Sequence, residues 1–266
     1  MIRDITLGQY YPTGSVLHRL DPRVKLLGTL VFIVSLFLFD NFIGYIVATV
    51  FLVTMIIISR VPFSFMVKGL KAIVILLLLT VTLNMFMTPG EKLVSFWKLT
   101  ITKEGLRLAI FMMFRLIYLI IGSSLMTLTT TPSNLTDGME KGLSWLKVFK
   151  VPVHEIAMMM SIALSFIPIL LEETDKIMKA QMARGASFDE GKITERVKAL
   201  VPLLVPLFVS AFRRANDLAM AMEARCYRGG DGRTKMHPLV YKKRDAIAYG
   251  ILTVYLALEI FISVWC

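Results

Sequence analysis

Apolar residues along this chain gather in runs of the length that crosses a bilayer, with polar and basic residues between them. The first run covers 24–39 and is followed by the short polar turn Asp40-Asn41. The second covers 42–59 and ends at Arg60, where a basic loop with Lys68 and Lys71 begins. A third run covers 72–88, and the polar segment 89–104 follows it. The fourth, 105–129, contains Arg107 and Arg115. The last, 246–265, is entered through Lys242, Lys243 and Arg244. A spanning helix needs about 20 mostly apolar residues, so the pattern predicts five membrane helices.

Lysine and arginine set the orientation. Arg3, Arg19, Arg23 and Lys25 place the N-terminus in the cytoplasm, and the basic loop 60–71 falls on the same side. Segments 40–41 and 89–104 then lie outside, 130–244 inside, and the C-terminus outside. The organisation expected is an N-terminal segment with four spans (1–129), a cytoplasmic coupling module (130–244) and a last span (245–266).

The coupling module holds two further apolar stretches, IAMMMSIALSFIPILL at 156–171 and VKALVPLLVPLFVSAF at 197–212. If both crossed, the segment 172–196 with Lys176, Lys179, Arg184, Lys192 and Arg196 would lie outside, against the charge rule. Pro168, Pro202 and Pro206 also remove helix hydrogen bonds. We expect two arms lying at or partly in the membrane without crossing it. The fold class is an all-α polytopic membrane protein with about five transmembrane helices plus long cytoplasmic or interfacial coupling helices.

Composition agrees. The chain has 266 residues, 56% hydrophobic and 18% charged, with 30 Lys and Arg against 19 Asp and Glu. Ordinary globular domains hold about 25% charged residues. The net charge of +11 suits a membrane surface, because the basic residues lie between the apolar runs. The stretches 228–235 and 242–244 adjoin a membrane helix without an aromatic ladder, which indicates anionic lipid rather than nucleic acid. The first twenty residues lack a cleavable signal, so the N-terminus is expected to remain in the cytoplasm.

Catalytic chemistry finds little support. His18, His154 and His237 are scattered without metal-ligand spacing. Cys226 and Cys266 form neither a disulfide framework nor a metal site. Glu172-Glu173 is followed by Ile177 where a Glu-Glu-x-x-x-Arg protease helix needs arginine. No phosphate loop of the Gly-x-x-x-x-Gly-Lys-Ser/Thr type is present, so energy has to come from a partner. Arg107 is expected to snorkel, and Arg115 to pair with Asn84 or with backbone carbonyls.

The ends of the arms carry the functional signal. The first arm's helical pattern stops at Ala183-Arg184-Gly185. The second reaches Ala224-Arg225-Cys226 and breaks at Gly229-Gly230. A cation is favoured at a helix C-terminus, and a guanidinium pairs bidentately with a carboxylate. Taken singly, each is a solvated arginine capping its helix. Two copies suggest matching plugs for two related partner subunits. Met158, Met159, Met160, Met178 and Met182 on one arm, with Met220 and Met222 on the other, suit a surface that accepts different partners.

MARGASF at 182–188 and EARCYRGGDGRTK at 223–235 resemble the paired Ala-Arg-Gly signatures of the T component of energy-coupling factor transporters, the CbiQ-like family. GQYYPTGSVLHRLDPRVKLL at 8–27 resembles that family's N-terminal segment, with Ser15, His18, Leu20, Asp21, Pro22, Arg23 and Lys25 in its pattern. The resemblance covers essentially the whole chain. Cys226 stands where the family commonly has Gly, which weakens any claim that a glycine conformation is needed there and leaves Arg225 in place. The resemblance implies a non-catalytic subunit of a vitamin-type importer in a prokaryotic cell membrane. Two ABC-type ATPases would receive Arg184 and Arg225 in acidic grooves, with Ala183, Gly185, Ala224 and Cys226 as flanks. A small membrane substrate-binding S component, one or several in exchange, would ride on the apolar arms. ATP and Mg would sit in the ATPases, with no cofactor in this chain. A scaffold dedicated to one transition-metal importer is the alternative within the same architecture.

Overall fold

In the computed structural model the described residues are 10–39, 41–96, 99–186, 193–230, 236 and 238–265. Asp40, Ser187, Phe188, Lys192, the stretch 231–235, His237 and Cys266 lie outside them, as do the side chains of Lys68 and Arg196. The chain divides into two compact units, Gly8–Gly142 with Leu239–Cys266, and Met1–Leu7 with Leu143–Pro238.

The first unit contains α1 (Pro22–Ser35), α2 (Phe42–Ser59), α3 (Phe63–Met87), α4 (Lys103–Thr129), α5 (Pro132–Gly142) and α8 (Lys243–Trp265). Its core is aromatic. Phe51 stacks on Tyr255 at 4.2 Å between ring centroids, and Tyr45 on Phe111 at 5.1 Å. Polar atoms inside it are matched: Tyr45 donates to the Phe111 carbonyl at 3.2 Å, and the Ser35 and Tyr255 hydroxyls meet at 2.8 Å. Apolar side chains also cover the outside of the helices, with Val50, Ile75 and Val254 exposed. That is the surface a bilayer requires, because it replaces water around the bundle.

Among the described residues four helices are long and apolar enough to cross a membrane: α2, α4, α8 and α6 (Val153–Ala183) of the second unit. The pair Phe63–Lys71 and Ile73–Met87 within α3, bent by 64°, adds a fifth when taken as one span. The chain is a multi-pass membrane protein. The membership of the set differs from expectation in two places. The run 24–39 yields a helix of only 14 residues. After Ser35 the chain tightens, with Phe37 and Leu38 donating to the carbonyls three residues back. This turn buries Phe39, whose ring meets Tyr45 edge-on at 5.0 Å. Burial of an aromatic ring against α2 thus ends the helix early. Conversely, α6 meets the length and composition of a span.

The segment 89–104 contains a short antiparallel hairpin, β1 (Lys92–Phe96) with β2 (Leu99–Thr102), in place of a plain polar loop. Thr102 then caps α4, its hydroxyl accepting from the Gly105 amide at 3.1 Å. Arg115 donates to the Phe39 carbonyl at 3.4 Å, while Asn84 bonds its own helix at the Thr80 carbonyl. Of the two partners expected for Arg115, the structure supplies the backbone carbonyl. Arg107 lies over the Phe111 ring at 5.3 Å.

The N-terminal motif ties one end of this unit together. Asp21 caps α1, accepting from the Arg23 amide at 2.9 Å, and Pro22 takes the first helical position. The Arg23 guanidinium grips the Asp21 carboxylate at 2.8 and 3.0 Å and lies over the Tyr241 ring at 3.8 Å. Buried Asp245 accepts from the amides of Asp21 and Lys242, at 2.9 and 2.8 Å, so it joins the starts of α1 and α8. Burial works to raise the Asp21 carboxyl, but the Arg23 hydrogen bonds outweigh it and hold it below its ordinary value. His18 bridges the Tyr11 carbonyl at 2.8 Å and the Ser15 hydroxyl at 2.7 Å, and burial lowers its pKa. Lys25 reaches the carbonyls of His18 and Thr129. These motif residues are architectural joints.

Candidate functional site

The second unit is built on two long helices, α6 with 31 residues and α7 (Ile193–Ala224) with 32. Both continue through their prolines, Pro168 in α6 and Pro202 and Pro206 in α7. Proline lacks the amide that would bond the carbonyl four residues earlier. Pro206 therefore leaves the Pro202 carbonyl without its helical donor. The Gln181 side chain of α6 fills that vacancy, donating to the Pro202 oxygen at 3.3 Å. Further along, Arg214 of α7 pairs with Glu173 of α6 at 3.2 Å. Between the helices lies a groove lined by Phe166, Leu170, Ala215, Leu218 and Met222.

These contacts run in opposite chain order on the two helices, so α6 and α7 are antiparallel. Gly230, just beyond α7, sits against the His154 ring near the start of α6, where an added Cβ would come within 2.5 Å of it. The end of α7 and the end of α6 thus lie at opposite ends of the pair. The contacts of residue 181 with 202, 173 with 214 and 154 with 230 put Arg225 opposite residues 159–160 of α6, so at 1.5 Å per residue Arg184 and Arg225 are about 37 Å apart along the pair.

Both ends have the same form. At α6, Arg184 is the C-cap residue and Gly185 follows with φ +88°. The Gly185 amide bonds the Met182 carbonyl and the Ala186 amide bonds the Gln181 carbonyl, each at 3.0 Å. At α7, Arg225 occupies the cap and Cys226 follows with φ +56°. The Cys226 amide bonds the Glu223 carbonyl at 2.8 Å and the Tyr227 amide bonds the Met222 carbonyl at 3.0 Å. Both are Schellman caps with arginine at the same place. The expectation that Cys226 relaxes the need for a glycine conformation is corrected: the cysteine adopts the left-handed conformation that glycine has in the first arm. The hydrogen-bond pattern of the cap requires it.

Ala183, Arg184, Gly185, Ala224, Arg225 and Cys226 are all exposed. Among the described residues neither arginine forms an ion pair. The small flanks leave each guanidinium accessible from the side. Seven apolar residues of α7, Leu200, Val201, Leu204, Val205, Phe208, Val209 and Phe212, recur at one-and-four spacing on one exposed face, while Leu203 is buried. Of the seven arm methionines named above, Met159, Met160, Met182 and Met220 are exposed. A contiguous apolar face of this kind marks contact with lipid or protein.

The arm ends expected at Arg184 and Arg225 are helix caps in the structure, whereas the joint at Gln181 was not foreseen. Two prolines four residues apart in an apolar helix are the available signal, since the second frees the carbonyl of the first. Among the described residues no group of three His, Cys, Asp or Glu side chains is placed to hold a metal ion.

The family described as CbiQ, cobalt transport protein, matches residues 13–237. The energy-coupling factor transporter transmembrane protein EcfT of Clostridium kluyveri is 55% identical over 267 aligned positions, covering 100% of this chain and 99% of that protein. Proteins of the same name from Thermosediminibacter oceani and Bacillus subtilis are 54% and 50% identical, covering 95% and 98% of this chain and 97% and 99% of theirs. With the match running through both arms and both arginine ends, the chain belongs to the CbiQ family, as a transmembrane component of an energy-coupling factor transporter.

Proposed function

We propose that this chain is the non-catalytic coupling subunit of a vitamin-type importer, joining two cytoplasmic ABC ATPases to a small membrane S component. The observation that carries the reading is the pair of like arginine caps at opposite ends of one antiparallel helix pair. A separation of about 37 Å exceeds the width of any single helix-binding groove, since a helix is about 10–12 Å across. Two caps of the same form, so far apart, suit two copies of one groove, as in a dimer of related ATPases. Arg184 and Arg225 enter acidic grooves, with Ala183, Gly185, Ala224 and Cys226 allowing close approach. ATP and Mg bind the ATPases, and this chain holds neither. The apolar face of α7 and the exposed methionines carry the S component, and ATP-driven closure moves the arms beneath it. In this reading α6, although long and apolar enough to span, lies along the membrane without crossing it, so the N-terminus and both arm ends face the cytoplasm of a prokaryotic cell.

The test is co-purification and uptake with Arg184→Ala, Arg225→Ala and the double variant. Truncating one partner of a buried interfacial charge pair costs about 2–5 kcal/mol. Each single change is expected to weaken ATPase recovery, and the double change to abolish it with uptake. Normal recovery and transport in the double variant would sink the assignment. Recovery of several different S proteins identifies a shared vitamin module; a single dedicated partner with metal uptake identifies the metal importer.

A further inference from the structure

A second cationic site lies in the membrane unit, apart from the arms. Arg19, Arg60 and Arg244 line one groove, together with Val16, Ile57 and Ile58. The three come from separate parts of the chain: the turn before α1, the end of α2 and the start of α8. Among the described residues none of them forms an ion pair. Three like charges converging without a carboxylate repel one another, so their convergence favours an anion from outside the chain. The backbone gives a second observation. Arg60 caps α2 in the left-handed conformation at φ +55°, with its amide on the Ile57 carbonyl. The cap fixes the Arg60 backbone at the edge of the groove, so its side chain starts from a defined position.

The position of the groove selects the anion. Two span-length helices, α2 and α8, terminate here, at Ser59 and Lys243. Their ends mark the level where hydrocarbon gives way to headgroups. Within the last turn of α2, on the membrane side of Arg60, Ile57 is 70% exposed. A guanidinium cluster above an apolar wall matches a phosphate above an acyl chain. We propose that Arg19, Arg60 and Arg244 bind the phosphate of an anionic phospholipid, whose acyl chain lies along Ile57 and Ile58. Basic pockets at the ends of spans recognise such headgroups, and guanidinium forks suit phosphate geometry. The lipid fastens the N-terminal turn to the ends of α2 and α8.

The test uses the full chain purified in a neutral detergent. Phosphatidylglycerol, phosphatidylcholine and inorganic phosphate are added separately, and thermal stability and lipid retention by native mass spectrometry are read. Phosphatidylglycerol is expected to be retained and to raise the melting temperature above the value in phosphatidylcholine. The triple variant Arg19→Gln, Arg60→Asn, Arg244→Gln is expected to lose affinity for phosphatidylglycerol on the order of a hundredfold or more. Asn at position 60 keeps a residue that tolerates the left-handed backbone. If the triple variant does not fold, Arg244→Gln alone is expected to lower retention several-fold. The variant Lys147→Gln, Lys150→Gln, Lys179→Gln removes equal charge elsewhere and is expected to behave as wild type. Equal responses to the two lipids, or undiminished phosphatidylglycerol retention in both the triple and the single variant, would overturn the proposal. An equal shift from inorganic phosphate alone would overturn the lipid assignment.

Discussion

At position 226 a cysteine does what glycine does in the sister arm. Its left-handed backbone carries an energetic penalty of about 1–2 kcal/mol for a residue with a Cβ. Cys226→Gly is therefore expected to stabilise the cap by about 1 kcal/mol, seen as a rise in melting temperature of roughly 2–4 °C. Gly185→Ala is expected to move it the other way. An unchanged or lowered value for Cys226→Gly would mean that the thiol makes a compensating contact. Residue identity alone misled here. The sequence exposes which residue follows the arginine, but the dihedral angle is set by two backbone hydrogen bonds that no single residue type reveals. The arginines themselves were legible, because the apolar pattern of each arm stops beside them.

The arms show how elements are joined where a helix lacks a donor. Gln181 supplies the hydrogen bond that Pro206 withholds from the Pro202 carbonyl. Gln181→Ala is expected to cost about 1 kcal/mol, the typical net value of a neutral hydrogen bond. With Pro206→Ala in place, the helix regains its own amide, and the same change at Gln181 is expected to cost almost nothing. Thermal unfolding of the four proteins gives the coupling directly. Additive effects would show that the Gln181 contact is incidental. The prolines were visible in the sequence and suggested interruption, yet both helices run on through them. The missing bond is replaced from a neighbouring helix, which periodicity along one chain does not register. The 89–104 hairpin escaped for a related reason, since its pairing is between segments.

Taken whole, the molecule spends its N-terminal motif on architecture and its arm motifs on the surface. Asp245 receives two backbone amides, one of them 224 residues away in sequence at Asp21. Asp245→Ala leaves both unsatisfied and is expected to destabilise the bundle by about 3 kcal/mol, while Asp245→Asn retains one acceptor and costs roughly half of that. A melting temperature unaffected by Asp245→Ala would remove the joint from the account. The apolar runs made the membrane class legible, because bilayer thickness imposes a length on them. They did not determine which runs reach that length as helices. The burial of Phe39 shortens α1, and α6 attains span length despite Pro168.

The exposed Cys226 also equips the chain with a native chemical handle. It sits one residue beyond Arg225, on the surface proposed to meet an ATPase. In a Cys266→Ser background, a maleimide reagent has one thiol to find. Alkylation is expected to proceed readily on the isolated chain and to slow several-fold in the assembled transporter. Equal rates in the two states would place the second cap outside the interface. The reaction also runs in reverse as an experiment: chain alkylated beforehand should fail to recruit one ATPase while still recruiting the other at Arg184, which separates two seats that mutation of shared chemistry would blur.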